Sequence, residues 1–178
     1  MPRRRQSKEP AMQLAQKITP CLWFSDQAEE AAAFYTGIFK NSRILRTTRY
    51  GKEGFEVHRR PEGSVMLVEF EIEGQVFTAL NGGPVFQFNE AVSFQVLCEN
   101  QQEVDFYWAH LAAGGDEQAQ QCGWLKDRFG LSWQVIPRAL PEWVGDPGSD
   151  RCQRAMRAML QMKKIDMDTV YHAYHGSA

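Results

Sequence analysis

Glu69 and Glu71 stand two positions apart in VMLVEFEIE, an alternating stretch that reads as a strand and so presents both carboxylates on one face. Such a pair could share acid and base duties, yet the wet side of an antiparallel sheet carries the same pattern and is the plainer reading. The histidines offer less. His58 falls in a polar loop before Pro61 and His110 in a helical stretch, while His172 and His175 share a helical face near the C-terminus without a third ligand. Cys21, Cys98, Cys122 and Cys152 are scattered with no CxxC spacing, which points to neither a zinc site nor a disulfide framework. No metal site is expected. Ser93 has no obvious His or Asp partner, and no GxSxG, HExxH, GxGxxG or P-loop motif occurs. Asn81-Gly82-Gly83-Pro84 could cradle an anion, but a glycine-rich turn leaving a strand accounts for it.

Gln134 asks a sharper question. In DRFGLSWQV, residues 127–135, a turn at Gly130 leads into a strand in which Trp133 and Val135 oppose Ser132, Gln134 and Ile136. An amide inside a fold without partners costs roughly 1–3 kcal/mol. Gln134 therefore either closes a structural network or faces a ligand.

The elements that would position these groups come in two similar sets. QAEEAAAFYTGIF (27–39) and ENQQEVDFYWAHL (99–111) both read as helices carrying a Phe-Tyr pair, Phe34-Tyr35 and Phe106-Tyr107, offset by 72 residues. Each follows a strand, ITPCLWF (18–24) or AVSFQVLC (91–98), with Asp26 and Asn100 placed to cap the helix. Three strands follow the first helix: RILRTTRY, VMLVEFEIE and QVFTALN, the last two joined by a turn at Gly74. After the second come a strand across QAQQCGWLKD and then LSWQVIP, so that half has one fewer. Both halves read as β-α-β-β-β in an α+β fold. Alternation gives Leu22 and Phe24, Val68 and Phe70, and Phe94 and Val96 to a helix-covered face, and Cys21 and Trp23, Glu69, and Ser93 and Gln95 to the other.

Composition is that of an ordinary globular chain, with 43% hydrophobic and 24% charged residues in 178 and a net charge of −2. That balance argues against nucleic-acid and membrane-surface partners. Arg3-Arg4-Arg5 lies in a polar opening expected to form a tail over residues 1–16. No apolar run reaches the length of a spanning helix and no secretory signal opens the chain, so a cytoplasmic location is expected. The domain is expected over 17–137, with modules at 17–83 and 90–137. Residues 138–178 change character: PRALPEWVGDPG reads as a loop, then one or two helices follow. There Met156, Met159, Leu160 and Met162 form a stripe suited to packing on the domain or on a second subunit.

Taken together, ITPCLWF, AEEAAAFYTGIF, FTALNGGP, FQVLCENQQEVDFYW and CGWLKDRFGLSWQVIP resemble the PhnB-like branch of the vicinal oxygen chelate superfamily, which includes glyoxalases, bleomycin resistance proteins and extradiol dioxygenases. Within it the chain, over about residues 17 to 175, is similar to the group named 3-demethylubiquinone-9 3-methyltransferase. The resemblance implies paired βαβββ modules forming a curled, mostly antiparallel sheet around a pocket, commonly in a homodimer. Metal-dependent relatives place ligands on the first and last strands of each module, slots that match Thr19 or Cys21, a residue near Ala79 to Asn81, Ser93, and Gln134. None of these is a histidine or carboxylate, so they supply too little charge to hold a divalent ion. Nor does a glycine-rich methyl-donor loop follow the first strand; S-adenosylmethionine is expected only if the family name is literally right.

The resulting expectation is a metal-free protein holding a small, partly apolar or aromatic molecule against Trp23, with Phe70 or Phe77 contributing. Ligand-binding candidates are Thr19, Cys21, Trp23, Asn81, Ser93, Gln95 and Gln134. The rivals are an enzyme using Glu69 or Glu71 as base, a methyltransferase, and a sequestering resistance protein without turnover.

Overall fold

The computed structural model describes residues 16–176, so the arginine-rich opening lies outside the described residues. The chain divides into two compact units between Gly82 and Gly83.

In the first unit, β1 (Cys21–Phe24) leads to α1 (Ala28–Ile38), β2 (Arg43–Arg49), the one-turn helix α2 (Phe55–His58), β3 (Val65–Ile72) and β4 (Gln75–Asn81). The sheet order is β1-β4-β3-β2, with β1 parallel to β4 and the other pairs antiparallel. Gly74 takes a left-handed φ of 82°, as the tight β3–β4 turn requires. Alternation places Val68, Phe70, Phe77 and Ala79 under α1, all buried. There Phe70 stacks between Tyr35 and Phe77, at centroid distances of 6.1 and 5.5 Å. Phe70 and Phe77 are therefore core residues on the face opposite Trp23, a correction to their expected stacking role.

The second unit runs β5 (Ser93–Cys98), α3 (Gln101–Leu111), a 3-10 turn at Glu117–Ala119, β6 (Trp124–Lys126), β7 (Ser132–Pro137), α4 (Leu140–Val144), α5 (Asp150–Met159) and α6 (Met167–His175). Its sheet order is β5-β7-β6, with β5 parallel to β7 and β6 antiparallel. Both sheets are thus mixed, the parallel pair in each joining the first strand of the module to its last. As expected, the second module has one strand fewer.

Local chemistry explains most boundaries. Asn100 caps α3, its side-chain oxygen accepting the Glu103 N–H at 3.0 Å, while the Glu103 carboxylate accepts the Glu99 N–H at 2.9 Å. Asp26 does not cap α1. Gln27 occupies the cap position without a side-chain bond, and the first free amide is satisfied from β4. His58 ends a helical turn rather than lying in a loop, and the proline of LPEWV sits in the first turn of α4, where its missing N–H costs nothing.

The C-terminal helices belong to the second unit's core. Ile136, Trp143, Cys152, Met159, Ile165 and Val170 pack in one buried cluster, flanked by partly buried Met156 and Met162. The methionine stripe thus packs on the domain. Leu160 is exposed. The N–H groups of Cys122 and Gly123 donate to the carbonyls of Met162 and Lys163, each at 2.8 Å, joining the extension to the turn before β6.

Candidate functional site

The face of the first sheet that turns away from α1 is set by register. Cys21 lies beside Thr78 and Trp23 beside Leu80 on β4; Thr78 lies in turn beside Glu69, and Leu80 beside Leu67, on β3. Trp23 and Cys21 therefore share a face with Glu69, as alternation suggested. Thr19 precedes β1, although the pairing reaches back to Pro20, whose carbonyl accepts the Thr78 N–H at 2.9 Å.

Trp23 is half-buried, and its indole lies across the backbone of Gly82. A Cβ at Gly82 would fall 2.1 Å from Cζ2 of that ring. The glycine of the Asn-Gly-Gly-Pro stretch is thus required by close approach, with no anion involved in the explanation.

Glu69 is buried, at 7% side-chain exposure, and is held by Arg46 through a parallel fork: Nε donates to Oε2 at 3.0 Å and Nη2 to Oε1 at 2.6 Å. The hydrogen bonds of Arg46 to Glu69, and then the charge of that carboxylate, raise the Arg46 pKa. Glu71 faces Arg43 at 3.7 Å. The two glutamates share a face, yet each has an arginine on β2 as its partner. This charge pairing across strands was not visible without the register.

Asn81 sits on the opposite face. Its Oδ1 accepts the Ala28 N–H at 2.8 Å, its Nδ2 donates to the Val65 carbonyl at 3.1 Å, and its own carbonyl accepts the Tyr50 hydroxyl at 2.6 Å. Its amide is committed to joining β4, α1 and β3.

The second sheet brings three expected residues into one chain of bonds. Gln95 and Gln134 are directly paired across β5 and β7, and Gln95 Nε2 donates to Gln134 Oε1 at 3.2 Å. Gln134 Nε2 then donates to Ser93 Oγ at 2.8 Å. Gln134 is thereby satisfied by its neighbours, which leaves the Ser93 hydroxyl hydrogen and the Gln95 side-chain oxygen without partners among the described residues. Register adds Trp124, directly opposite Gln134 on β6 and half-buried. It also adds Ser132, whose buried Oγ has no hydrogen-bond partner among the described residues, and Lys126, paired with Glu90. The sequence marked Trp124 as a strand residue, but only the pairing shows that it borders Gln134.

Asp127 fixes the start of β7. Its Oδ1 accepts the N–H groups of Phe129 and Leu131 at 2.9 and 3.0 Å, and Oδ2 accepts the Trp133 indole N–H at 2.8 Å. Gly130 supplies the left-handed φ of 83° in this turn. Cys98, on the helix-covered face, is no nucleophile: burial, and then the charges of Glu103 and Glu99, push its thiol up to about 12. Among the described residues no three His, Cys, Asp or Glu side chains converge as a metal site, and no helix is long and apolar enough to cross a membrane.

The family model of 3-demethylubiquinone-9 3-methyltransferase matches residues 16–136. A solved structure described as a putative 3-demethylubiquinone-9 3-methyltransferase, PhnB protein, from Bacillus cereus is 35% identical, with a TM-score of 0.59 over 68% of this chain and 99% of that one. The protein PA1353 from Pseudomonas aeruginosa is 19% identical, with a TM-score of 0.54 over 69% of this chain and 98% of that one, a likeness of fold. The fosfomycin resistance protein FosX from Listeria monocytogenes, solved with Mn(II) and sulfate, is 16% identical, with a TM-score of 0.47 over 73% of this chain and 95% of that one. No curated protein matches the chain. Paired modules built on the two sheets, with the family's sequence running through both, place this chain in the PhnB-like 3-demethylubiquinone-9 3-methyltransferase family.

Proposed function

We propose that the protein binds a small, partly aromatic organic molecule without a metal ion, on the polar face of its second sheet. The observation that carries this reading is the Gln95–Gln134–Ser93 chain, which spends its internal bonds on order and leaves one acceptor and one donor unused among the described residues. Held side chains of that kind orient a neutral polar group with little loss of entropy on binding. Trp124, beside Gln134, offers the ring face for stacking. Trp23 gives the first sheet a comparable aromatic surface of its own.

The donor chemistry supports the metal-free part. Hydroxyls and amides on β5 and β7 lack the charge that a Zn, Ni or Fe ion draws from imidazole or carboxylate, and Glu69 in the first unit is already neutralised by Arg46. The reading favours a binder over an enzyme, since Glu69 as a base would first have to leave its arginine.

The test combines metal analysis of the purified protein with a calorimetric screen of quinones, hydroxylated aromatics, thiol conjugates and S-adenosylmethionine. A saturable ligand lost in Gln134→Leu, in metal-free protein, is the expected result. Stoichiometric Zn, Ni or Fe overturns the metal-free part. Binding of S-adenosylmethionine with methyl transfer to a quinone restores the methyltransferase reading.

A further inference from the structure

The first unit also holds a cavity of about 200 Å³ whose charged lining is Asp26, Glu29 and Arg60, with Pro61 and Val65 supplying apolar wall. The backbone around Arg60 is pinned. Its N–H donates to His58 Nδ1 at 3.0 Å, the His58 ring lies 4.4 Å from that of Tyr50, and Ser64 Oγ donates to the Pro61 carbonyl at 2.6 Å. Its guanidinium is not satisfied. Nε and Nη2 are screened from solvent and meet no hydrogen-bond acceptor among the described residues. Asp26 and Glu29 border the same cavity, yet neither makes an ion pair with Arg60 within 4.0 Å among the described residues.

The Nε–Nη2 edge is the one with which this chain's own Arg46 grips Glu69 in a fork. On Arg60 that edge is empty. A guanidinium edge screened from water and without an acceptor is unfavourable, and a carboxylate is the group whose two oxygens match its spacing. A purely anionic ligand would meet two carboxylates, and a purely cationic one would leave Arg60 unpaired. A cavity of about 150 Å³ is large enough for benzene, so this one has room for a molecule of amino-acid size.

We propose that this cavity binds a small zwitterion of the α-amino-acid class, its carboxylate taken by the Nε–Nη2 edge of Arg60 and its ammonium group by Asp26 and Glu29. Rotation about the outer torsions of Arg60 brings that edge to the ligand while the backbone stays fixed. The site does not depend on the reading of the sheet faces above.

The test is calorimetry on the full chain with each of the twenty proteinogenic amino acids, and with propionate and propylamine as single-charge controls. At least one amino acid should bind saturably, at least about ten-fold tighter than either control, the equivalent of one charge-assisted hydrogen bond. Arg60→Met and the double variant Asp26→Asn/Glu29→Gln should each weaken it by at least that factor, as should Arg60→Lys, which keeps the charge and loses the fork. Gln134→Leu should leave it unchanged. The proposal fails if no amino acid binds, if binding survives the arginine variants in chains whose circular dichroism is native, or if propionate binds as tightly and ignores the loss of the carboxylates. It also fails if double-mutant unfolding cycles show strong coupling of Arg60 to Asp26 and Glu29 in the ligand-free protein, because the arginine then has its partner already.

Discussion

The side-chain oxygen of Asn81 accepts the backbone N–H of Ala28 at 2.8 Å, across 53 positions of sequence. A helix that lacks a local cap is thus capped by the last residue of a strand, and the same amide donates to the Val65 carbonyl. Asn81→Ala would leave a buried donor and a buried acceptor unpaired and should cost about 2–4 kcal/mol in urea unfolding. Asn81→Asp keeps the acceptor and loses the donor, so it should fall between the two.

Trp23 and Gly82 form a steric pair. The ring lies where a Cβ at position 82 would stand, and the backbone at Gly82 is not left-handed, so the indole is what excludes a side chain there. Gly82→Ala should destabilise by about 1–3 kcal/mol through overpacking, while Gly82→Ala in a Trp23→Ala background should cost much less. A double-mutant cycle by chemical denaturation reads the difference, and additive costs would contradict the contact.

For Arg46 and Glu69 the two halves of one ion pair should behave unequally. Arg46 is largely exposed and Glu69 buried. Arg46→Met strands a carboxylate away from water and should cost about 1–3 kcal/mol. Glu69→Gln leaves the guanidinium in solvent and should cost under about 1 kcal/mol. Urea midpoints of the two variants measure this asymmetry.

Acid should loosen the attachment of the C-terminal helices. The hydrogen bond from Lys164, and then that from Gln101, hold the Asp105 carboxyl below its usual range; Asp166 is lowered by the Thr169 hydroxyl and then by its N–H. For a carboxylate depressed on folding, the stabilisation is complete above the unfolded pKa of about 3.9 and is lost as pH falls through the lower folded value. Stability should therefore drop below about pH 4. Asp105→Asn and Asp166→Asn should each make the urea midpoint less dependent on pH in that window.

Much of the fold is legible in the sequence because it rests on local periodicity. Val68, Phe70 and Ile72 alternate with Leu67, Glu69 and Glu71 whatever lies beside them, and Asn100 four positions before Val104 announces a helix start. Where local chemistry was weak, the reading missed: Asp26 was the nearest residue of a good capping type before α1, but the capping group arrives from β4. The helical turns at Phe55–His58 and Leu140–Val144 were also missed, since four or five residues hold too little periodicity to register.

The candidate site was legible only as residue types and parities. Sequence alone determined that Ser93, Gln95 and Gln134 are uncharged and that each opposes an apolar neighbour along its strand. Tertiary structure decided that β5 and β7 lie side by side in a register that bonds the three together, that Trp124 comes to rest against Gln134, and that Arg46 claims Glu69 while Nε and Nη2 of Arg60 meet no acceptor among the described residues. The physical reason is that alternation is a property of one strand, whereas hydrogen-bond satisfaction belongs to pairs of strands and is fixed only when their register is chosen.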